Sequence, residues 1–258
     1  MSDNLAFSFI PLPHTVAKPR DTGLTAVIDK GLGLQSLQEL IQLAGNYIDI
    51  VKIGFGTSRL YSRELLKQKI NLLNEANILA CPGGTLFEIT RTHQQVDAFW
   101  HECKALGFRS IEISDGVLPL ALESKCQLIK QGRAHGFIVL AEVGRKQPDL
   151  DQLLTIEQKA SETQALLQAG AWKVILEARE SGNVGLFDSE GDIKTQEIQD
   201  LVSLLDINDV LFEAPQKKQQ VWLLQHLSMQ INFANIAPTD VLALASLRQR
   251  LRADTMEV

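Results

Sequence analysis

The sequence contains little cysteine, and the cysteines are scattered. Cys81, Cys103 and Cys126 lie far apart among 258 residues, and no two of them form a Cys-x-x-Cys pair. This spacing argues against a disulfide framework and against a cysteine zinc site. We therefore expect reduced thiols and a cytoplasmic location.

The sequence also lacks an excess of positive charge and any long apolar run. Its 25 basic and 31 acidic residues give a formal net charge of −6, and scattered basic residues argue against a patch that follows nucleic-acid phosphates. The N-terminus has an acidic residue and an apolar patch interrupted by Pro11 and Pro13, unlike a signal peptide. No apolar run approaches the ~20 residues of a membrane span. We expect neither nucleic acid nor a membrane as partner.

Short apolar segments rich in β-branched residues recur along the chain and predict β-strands. Eight occur: TAVID (25–29), YIDIVKIG (47–54), ILACPG (78–83), SIEIS (110–114), FIVLAEV (137–143), WKVILEA (172–178), DVLFEA (209–214) and MQINFANI (229–236). Segments with apolar residues three or four positions apart lie between them and predict helices, several of which end at Gly or Asn. They are residues 34–45, 63–77, 95–108, 160–171, 197–205 and 219–227.

Apolar strands that alternate with helices predict an α/β fold, a parallel sheet covered by helices. Eight such units in ~250 residues predict a single (β/α)8 TIM barrel over residues 18–258, preceded by a short N-terminal arm, residues 1–17. An open, doubly wound sheet is the alternative. The sequence after the first strand, IDKGLGLQS, lacks the GxGxxG pattern that binds phosphate in such sheets.

A glutamate lies at an equivalent place in each of the predicted strands four to seven. Because the carboxyl ends of barrel strands share one mouth, Glu112, Glu142, Glu177 and Glu213 are expected close together there. Four adjacent anions repel one another unless lysines, arginines or a metal ion intervene. An all-oxygen ligand set favours Mg²⁺ over zinc. Periodicity alone leaves open whether these glutamates bind a metal or only form internal ion pairs.

Two further features belong to the same predicted mouth. Lys52 lies inside the second apolar strand, where a buried ammonium needs an anionic partner. The turn at Gly83 and Gly84 frees backbone N–H groups that could contact an anion. Thr85 and Glu88 follow at capping-box spacing, and we interpret them as a helix cap.

Eight blocks in order along most of the chain resemble the phosphosulfolactate synthase family. They are KPRDTGLTAVIDKG (18–31), YIDIVKIGFGTS (47–58), PGGTLFE (82–88), GFRSIEISDG (107–116), VLAEVGRK (139–146), EARESG (177–182), LFEAPQKKQQ (211–220) and NFANIAPTDVLALASLRQRLRADT (232–255). The resemblance implies a (β/α)8 carbon–sulfur lyase that uses Mg²⁺ to add sulfite to phosphoenolpyruvate. The product would be (2R)-2-phospho-3-sulfolactate, a precursor of coenzyme M or sulfolactate. A homo-oligomer, a trimer, is also implied.

The resemblance implies roles for single residues. The family's general acid falls on Lys146, the second basic residue of VGRK. The two reactants are anions, so we expect Lys18, Arg20, Lys52 and Arg179 to bind phosphate, carboxylate or sulfite.

The expected metal site and phosphate site complete this interpretation. Of the four glutamates, Glu142 and Glu177 are expected to bind Mg²⁺ directly, and the other two are expected to pair with cations. Phosphate is expected on backbone amides of the last two strand-to-helix loops, around residues 214–216 and around Asn235 in residues 235–237.

One departure from the family leaves other functions open. The Gly- and acid-rich residues 180–192 suit a lid above the mouth. Within them, the middle of ESGNVGLFD (180–188) is shorter and less Gly-rich than the family's ESGxGxG form. A non-catalytic, partner-binding role is one alternative, as discussed for a plant heat-stress-associated protein that resembles the family. A related barrel enzyme with a different nucleophile is the other.

Overall fold

Eight short strands form the centre of the molecule. The computed structural model describes residues 5–14 and 16–256. Each strand lies within the segment that the sequence predicts for it. The strands are β1 (Thr25–Asp29), β2 (Ile50–Ile53), β3 (Leu79–Pro82), β4 (Ser110–Ile113), β5 (Ile138–Val143), β6 (Lys173–Leu176), β7 (Val210–Glu213) and β8 (Phe233–Ile236).

Helices follow the strands along the chain. They are α1 (Leu34–Ala44), α2 (Arg63–Glu75), α3 (Gly84–Thr92), α4 (Val96–Leu106), α5 (Leu122–Ala134), α6 (Pro148–Asp151), α7 (Ile156–Ala169), α8 (Thr195–Leu204), α9 (Lys217–His226) and α10 (Val241–Arg248). The sequence predicted no helical segment for α5, α6 or α10, and for α3 it predicted only a helix cap at Thr85 and Glu88. The buried face of α5 consists of Lys125, Ile129 and Gly132, so it has little apolar periodicity to recognise. No helix of the described residues has the length and apolarity that crossing a membrane requires.

The strands pair in parallel and form a nearly closed ring. Their order is β3-β2-β1-β8-β7-β6-β5-β4. β3 and β4, at the two ends of this order, lie side by side, and the Ser110 hydroxyl donates a hydrogen bond of 3.0 Å to the Ala80 carbonyl. This arrangement confirms the predicted (β/α)8 TIM barrel.

Side chains inside the ring change from apolar to charged along the strands. The lower interior is a buried apolar layer of Ala26, Ile50, Cys81, Leu140, Ile175, Leu211 and Ala234. Alternate residues of a strand face the same side, so residues two positions further along also point inward. After Ile50, Leu140, Ile175 and Leu211 these are Lys52, Glu142, Glu177 and Glu213. The barrel therefore gathers charged side chains at the carboxyl ends of its strands, above this apolar layer.

The N-terminal arm approaches the barrel at the opposite end. Its described residues, 5–14 and 16–17, form turns and no helix or strand. His14 N donates a hydrogen bond of 3.1 Å to Gln249 Oε1, and Gln230 Nε2 donates one of 2.9 Å to the carbonyl of His14. Phe7 and Phe9 are exposed. The part of the arm at His14 therefore lies away from the charged interior.

Candidate active site

Six charged side chains converge where the strands end, and we call them the mouth cluster. Four lie on or directly after β4 to β7, one lies in β2, and one lies in the loop after β5. They are Lys52, Glu112, Glu142, Lys146, Glu177 and Glu213. A small cavity of about 50 Å³ is lined by five of them, all except Glu142.

Lys52 bridges two glutamates from different parts of the ring. Its Nζ atom lies 3.3 Å from Glu112 Oε2 and 3.3 Å from Glu213 Oε1. Burial by itself would lower the pKa of this ammonium, but Glu112, Glu213 and Glu142 outweigh burial and raise the pKa. Lys52 is therefore charged at neutral pH, and it has the anionic partners that its place in an apolar strand requires.

Lys146 bridges a second pair of glutamates. Its Nζ atom lies 3.1 Å from Glu142 Oε1 and 3.3 Å from Glu142 Oε2, and it also contacts Glu177 Oε2. Burial would lower the pKa of Lys146, but the charges of Glu142 and Glu177 outweigh burial and raise it. A general acid that works near neutral pH calls for the opposite, a lowered pKa. In this arrangement Lys146 holds its proton firmly.

The carboxylates of the cluster differ in how easily they ionise. Burial would raise the pKa of Glu142, but Lys146 and Lys52 lower it to about 2. In Glu177, burial and the charges of Glu142 and Glu213 raise the pKa well above its usual value. Burial also raises the pKa of Glu112, against the effect of Lys52. Two ammonium groups do not balance four carboxylates, so the cluster attracts further positive charge.

Three of these glutamates form a group that fits a hard cation. One carboxylate oxygen each from Glu142, Glu177 and Glu213 lies within 4.8 Å of the other two. Such a set of oxygens suits Mg²⁺, which takes few protein carboxylates and keeps several waters. Glu112 lies outside this group: its Oε1 accepts a hydrogen bond of 2.9 Å from Gly84 N, and its Oε2 faces Lys52. Glu213 belongs to the group and also pairs with Lys52, whereas we expected only the pairing.

The backbone amides of Gly83 and Gly84, which we expected to contact an anion, are hydrogen-bonded within the protein in this structure. Gly83 N donates to Ile53 O at 3.0 Å, and Gly84 N donates to Glu112 Oε1. A Cβ atom on Gly84 would lie 2.5 Å from Ser114 Cβ. Both glycines border the cavity. The missing side chain lets Gly84 approach β4, and it lets Gly83 approach the Ile53 carbonyl of β2.

Arg179 and Asn235 border the cavity, and both have an unusual backbone conformation. Their φ angles are 63° and 57°, a left-handed conformation that residues other than glycine rarely adopt and that often occurs at functional sites. Arg179 is exposed at the rim, and its N–H donates a hydrogen bond of 2.7 Å to Glu177 Oε1. Asn235 Oδ1 is buried, and within residues 5–14 and 16–256 it has no hydrogen-bond partner. Such an atom is available to a bound molecule.

Lys18 and Arg20 lie at the other end of the barrel, so the structure does not support the prediction that they bind substrate at the mouth. Arg20 Nε pairs with Asp49 Oδ1 at 2.9 Å, and Lys18 Nζ donates to the carbonyl of Gly45 at 2.7 Å. Burial lowers the pKa of Lys18 to about 8, against the effect of Asp49. The physical reason is chain direction: both residues precede β1, and residues that precede a parallel strand lie at its amino end.

Polar residues behind the mouth cluster support it, and the sequence analysis did not identify them. Glu88 does not cap α3, because its carboxylate accepts a hydrogen bond of 3.0 Å from Val117 N in the loop after β4. The buried Lys125 of α5 donates hydrogen bonds of 2.5 Å to the carbonyl of Glu142 and 2.6 Å to Asp115 Oδ1. A signal for Lys125 exists, since it lies four residues before the buried Ile129 on one face of α5.

The segment 180–192, which we expected to suit a lid, is packed against α9. Val184, Leu186 and Phe187 are buried. Gln219 Nε2 donates hydrogen bonds of 2.7 Å to the carbonyl of Gly182 and 3.2 Å to that of Gly191. The segment therefore forms a fixed wall beside the cavity in this structure.

The fold and the mouth cluster together define a (β/α)8-barrel enzyme whose charged site lies at the carboxyl ends of the strands. The sequence profile described as (2R)-phospho-3-sulfolactate synthase (ComA) matches residues 13–254. The phosphosulfolactate synthase of Methanocaldococcus jannaschii is 46% identical over 234 residues, which are 90% of this chain and 93% of that protein. That of Bacillus subtilis is 40% identical over 247 residues, 95% of this chain and 97% of that protein. The chain belongs to the phosphosulfolactate synthase family.

A solved structure supports the fold independently. Phosphonopyruvate hydrolase in complex with oxalate and Mg²⁺ superposes with a TM-score of 0.56 and 15% identity. The match covers 88% of this chain and 80% of that chain. At this identity the likeness shows the shared barrel fold alone.

Proposed function

We propose that this protein catalyses the Mg²⁺-dependent addition of sulfite to C3 of phosphoenolpyruvate, forming (2R)-2-phospho-3-sulfolactate. It would thus be a carbon–sulfur lyase acting in the direction of synthesis. The observation that carries the proposal is the convergence of Glu142, Glu177 and Glu213 beside Lys146 in a chain of this family. This site combines a place for a hard cation with a proton donor.

Glu142, Glu177 and Glu213 would hold the Mg²⁺ ion. When bound, Mg²⁺ supplies positive charge next to the substrate carboxylate, where negative charge develops in the reaction. Glu142 is well suited to this task because its low pKa keeps it ionised. Glu213 is oriented by Ala178 N, which donates a hydrogen bond of 2.9 Å to its Oε2 atom.

Cationic and amide groups around the cavity would bind the substrate anions. Lys52 and Arg179 border the cavity from the inside and from the rim, and Asn235 presents an amide group whose oxygen is unpaired within the described residues. Arg179 is the only one of the three that is exposed to solvent and can reach an incoming anion first. We assign sulfite or phosphate to Arg179 and the carboxylate region to Lys52, since guanidinium groups match oxyanions with paired hydrogen bonds.

Lys146 would supply the proton that completes the reaction. The sulfite sulfur forms a bond to C3, and the π electrons of the C2–C3 double bond move to C2 and into the carboxylate. One N–H proton of the Lys146 ammonium then passes to C2, and solvent reprotonates the lysine. Glu142 and Glu177 keep Lys146 protonated before attack. If Glu142 and Glu177 bind a cation, their attraction for the ammonium of Lys146 would weaken, and the proton would be easier to transfer.

The proposal is tested by incubating the protein with phosphoenolpyruvate, sulfite and Mg²⁺ and following products by phosphorus NMR. We expect one new organic phosphate resonance that requires all three components and disappears with excess chelator. A product that forms without sulfite, or from another nucleophile alone, would indicate a related barrel enzyme. Absence of any turnover, together with binding to a stress-related protein partner, would favour the non-catalytic alternative.

We also propose a cytoplasmic homo-oligomer, a trimer, because the phosphosulfolactate synthase family suggests this assembly. Light scattering coupled to size exclusion should give three times the chain mass of 28.6 kDa. A monomer at micromolar concentration would contradict the proposed assembly and leave the barrel site unaffected.

A further inference from the structure

Glu88 lies behind the mouth cluster and reaches it through another residue. It belongs to α3 and is 1% exposed. Its Oε2 atom accepts hydrogen bonds of 3.0 Å from Val117 N and 2.6 Å from Leu118 N, and its Oε1 atom contacts the hydroxyl of Ser114. Glu88 therefore holds both the backbone of the loop after β4, residues 114–118, and one hydroxyl group of that loop.

This loop forms one wall of the mouth cluster. Ser114 Oγ lies 3.1 Å from Glu142 Oε1. Gly116 accepts a hydrogen bond of 3.0 Å from Lys146 N through its carbonyl, and a Cβ atom on Gly116 would lie 2.7 Å from Glu142 Oε1. The loop that Glu88 holds therefore touches both a candidate metal ligand and the candidate general acid.

Ser114 has one hydroxyl hydrogen and two carboxylate neighbours. A hydroxyl donates one hydrogen bond, and ionised carboxylates can only accept. Glu142 Oε1 has another donor, Lys146 Nζ at 3.1 Å. For Glu88 Oε1, Ser114 is the one donor among the described residues. The buried Glu88 oxygen needs that hydrogen more, so Ser114 directs its hydrogen to Glu88 and a lone pair towards Glu142.

We propose that Glu88 is a positioning residue that keeps the hydroxyl hydrogen of Ser114 away from Glu142, so that Lys146 is the one donor among the described residues that competes with a divalent cation for Glu142 Oε1. The inference rests on the proposed function, in which Glu142 binds Mg²⁺. Residues that hydrogen-bond to a metal ligand without touching the ion set the orientation of that ligand and how strongly it binds the ion. Glu88 thus acts on the cation through Ser114 and Glu142 without contacting it.

The test replaces Glu88 by Gln, which keeps the shape of the side chain. The amide oxygen of Gln can accept from Val117 N and Leu118 N, while its NH₂ group donates to Ser114 Oγ. The Ser114 hydrogen must then turn to Glu142. We expect Glu88→Gln to bind Mn²⁺, measured as free ion by electron paramagnetic resonance, roughly tenfold more weakly than the wild type. The Mg²⁺ concentration for half-maximal rate should rise in parallel, with kcat at saturating Mg²⁺ little changed.

Two variants distinguish positioning from a general structural effect. In Ser114→Ala there is no hydroxyl to redirect, so adding Glu88→Gln should cause no further loss of Mn²⁺ affinity. Asp29→Asn weakens the buried ion pair with Lys69 at the end of β1, and it should lower thermal stability without changing Mn²⁺ affinity.

Unchanged Mn²⁺ affinity in Glu88→Gln, or an equal loss with and without Ser114, would overturn the inference while the metal site stands. Wild-type protein that binds no Mn²⁺ would overturn the proposed metal site and the inference together.

Discussion

Individual residues of the mouth cluster carry opposite charges that are buried side by side. Lys146 and Lys52 each lie between two glutamates, and the pKa values of both lysines are raised by these neighbours in spite of burial. A buried ion pair adds little net stability, but removing one partner leaves an uncompensated charge. Substitutions in the cluster are therefore expected to change stability and cation affinity strongly. Whether cation affinity rises or falls depends on which charge is removed.

Replacing Lys146 by Met should separate catalysis from cation binding. Met keeps the apolar stem but has no proton to donate, so we expect turnover to fall by roughly 10²- to 10⁴-fold. Mn²⁺ should bind more tightly, because the ammonium that now occupies Glu142 and Glu177 is gone. Rates from phosphorus NMR and Mn²⁺ titration measure the two effects.

The matched control for Lys146→Met is Lys67→Met, on the exposed face of α2. It should change neither the rate nor Mn²⁺ binding. Normal turnover in Lys146→Met would remove the acid role, and weaker Mn²⁺ binding would show that Lys146 supports the cation site rather than competing with it.

The pH dependence of stability should reveal the charge of Glu142. Lys146 and Lys52, acting against burial, lower its pKa to about 2, whereas an ordinary glutamate in the unfolded chain has a pKa of about 4.3. The folded state therefore binds fewer protons between these values, so the contribution of Glu142 is present above about 4.3 and is lost as the pH falls through about 2.

Denaturant unfolding of wild type and Glu142→Gln over a pH series measures this contribution. The difference between their free energies of unfolding should be constant near neutral pH and should shrink as the pH falls from about 4.3 towards about 2. A difference that grows on acidification would show that Glu142 is not held ionised by its lysines.

At the scale of elements, close contact between β3 and β4 depends on the turn into α3. A Cβ atom on Gly84 would lie 2.5 Å from Ser114 Cβ and 2.6 Å from Glu112 Oε1. Gly33 also lies at the start of a helix, directly before α1, and a Cβ atom there would meet nothing within 4 Å. These two glycines allow a matched comparison.

Gly84→Ala should destabilise the protein by about 1 to 3 kcal/mol, the usual cost of overpacking. Gly33→Ala should leave stability unchanged or slightly raise it, since it restricts the unfolded chain. Denaturant unfolding measures both. Equal effects of the two substitutions would show that the β3–β4 contact is not tightly packed.

The sequence predicts elements well where burial is periodic and poorly where it is not. β1 has the bounds predicted for it, because its three inner residues are apolar and a polar residue lies at each end of the strand. α5 was missed because its buried face combines Lys125 and Gly132 with a single large apolar side chain. Such a face is stabilised by ion pairs of Lys125 to Asp115 and Glu162, which belong to other parts of the fold and which helical periodicity does not reveal.

At the scale of the whole molecule, Lys52 joins distant parts of the ring. It belongs to β2, and its partners belong to β4 and β7. Its side chain is 12% exposed, so both ion pairs are largely shielded from solvent. The closed barrel is what brings these three strands within reach of one ammonium group.

Lys52→Met should lower the free energy of unfolding by about 3 kcal/mol, because Glu112 and Glu213 lose a shared buried partner. Burial raises the pKa of Glu112, so part of this loss should be recovered at acidic pH, where protonation of Glu112 removes the repulsion. Chemical denaturation at pH 5 and pH 8 measures both effects, with Lys67→Met as the exposed control. Unchanged stability at both pH values would contradict a structural role for this bridge.

The sequence by itself determined the number of strands, their direction and the inward-facing glutamates, because alternation along a strand is a local property of the chain. It also located the family motifs that contain Lys146. Only the tertiary structure decided that Lys18 and Arg20 lie at the far end, that Glu142, Glu177 and Glu213 converge, and that Glu88 reaches Ser114. These contacts join residues of different elements, and their distances depend on how the ring closes and how its strands are registered.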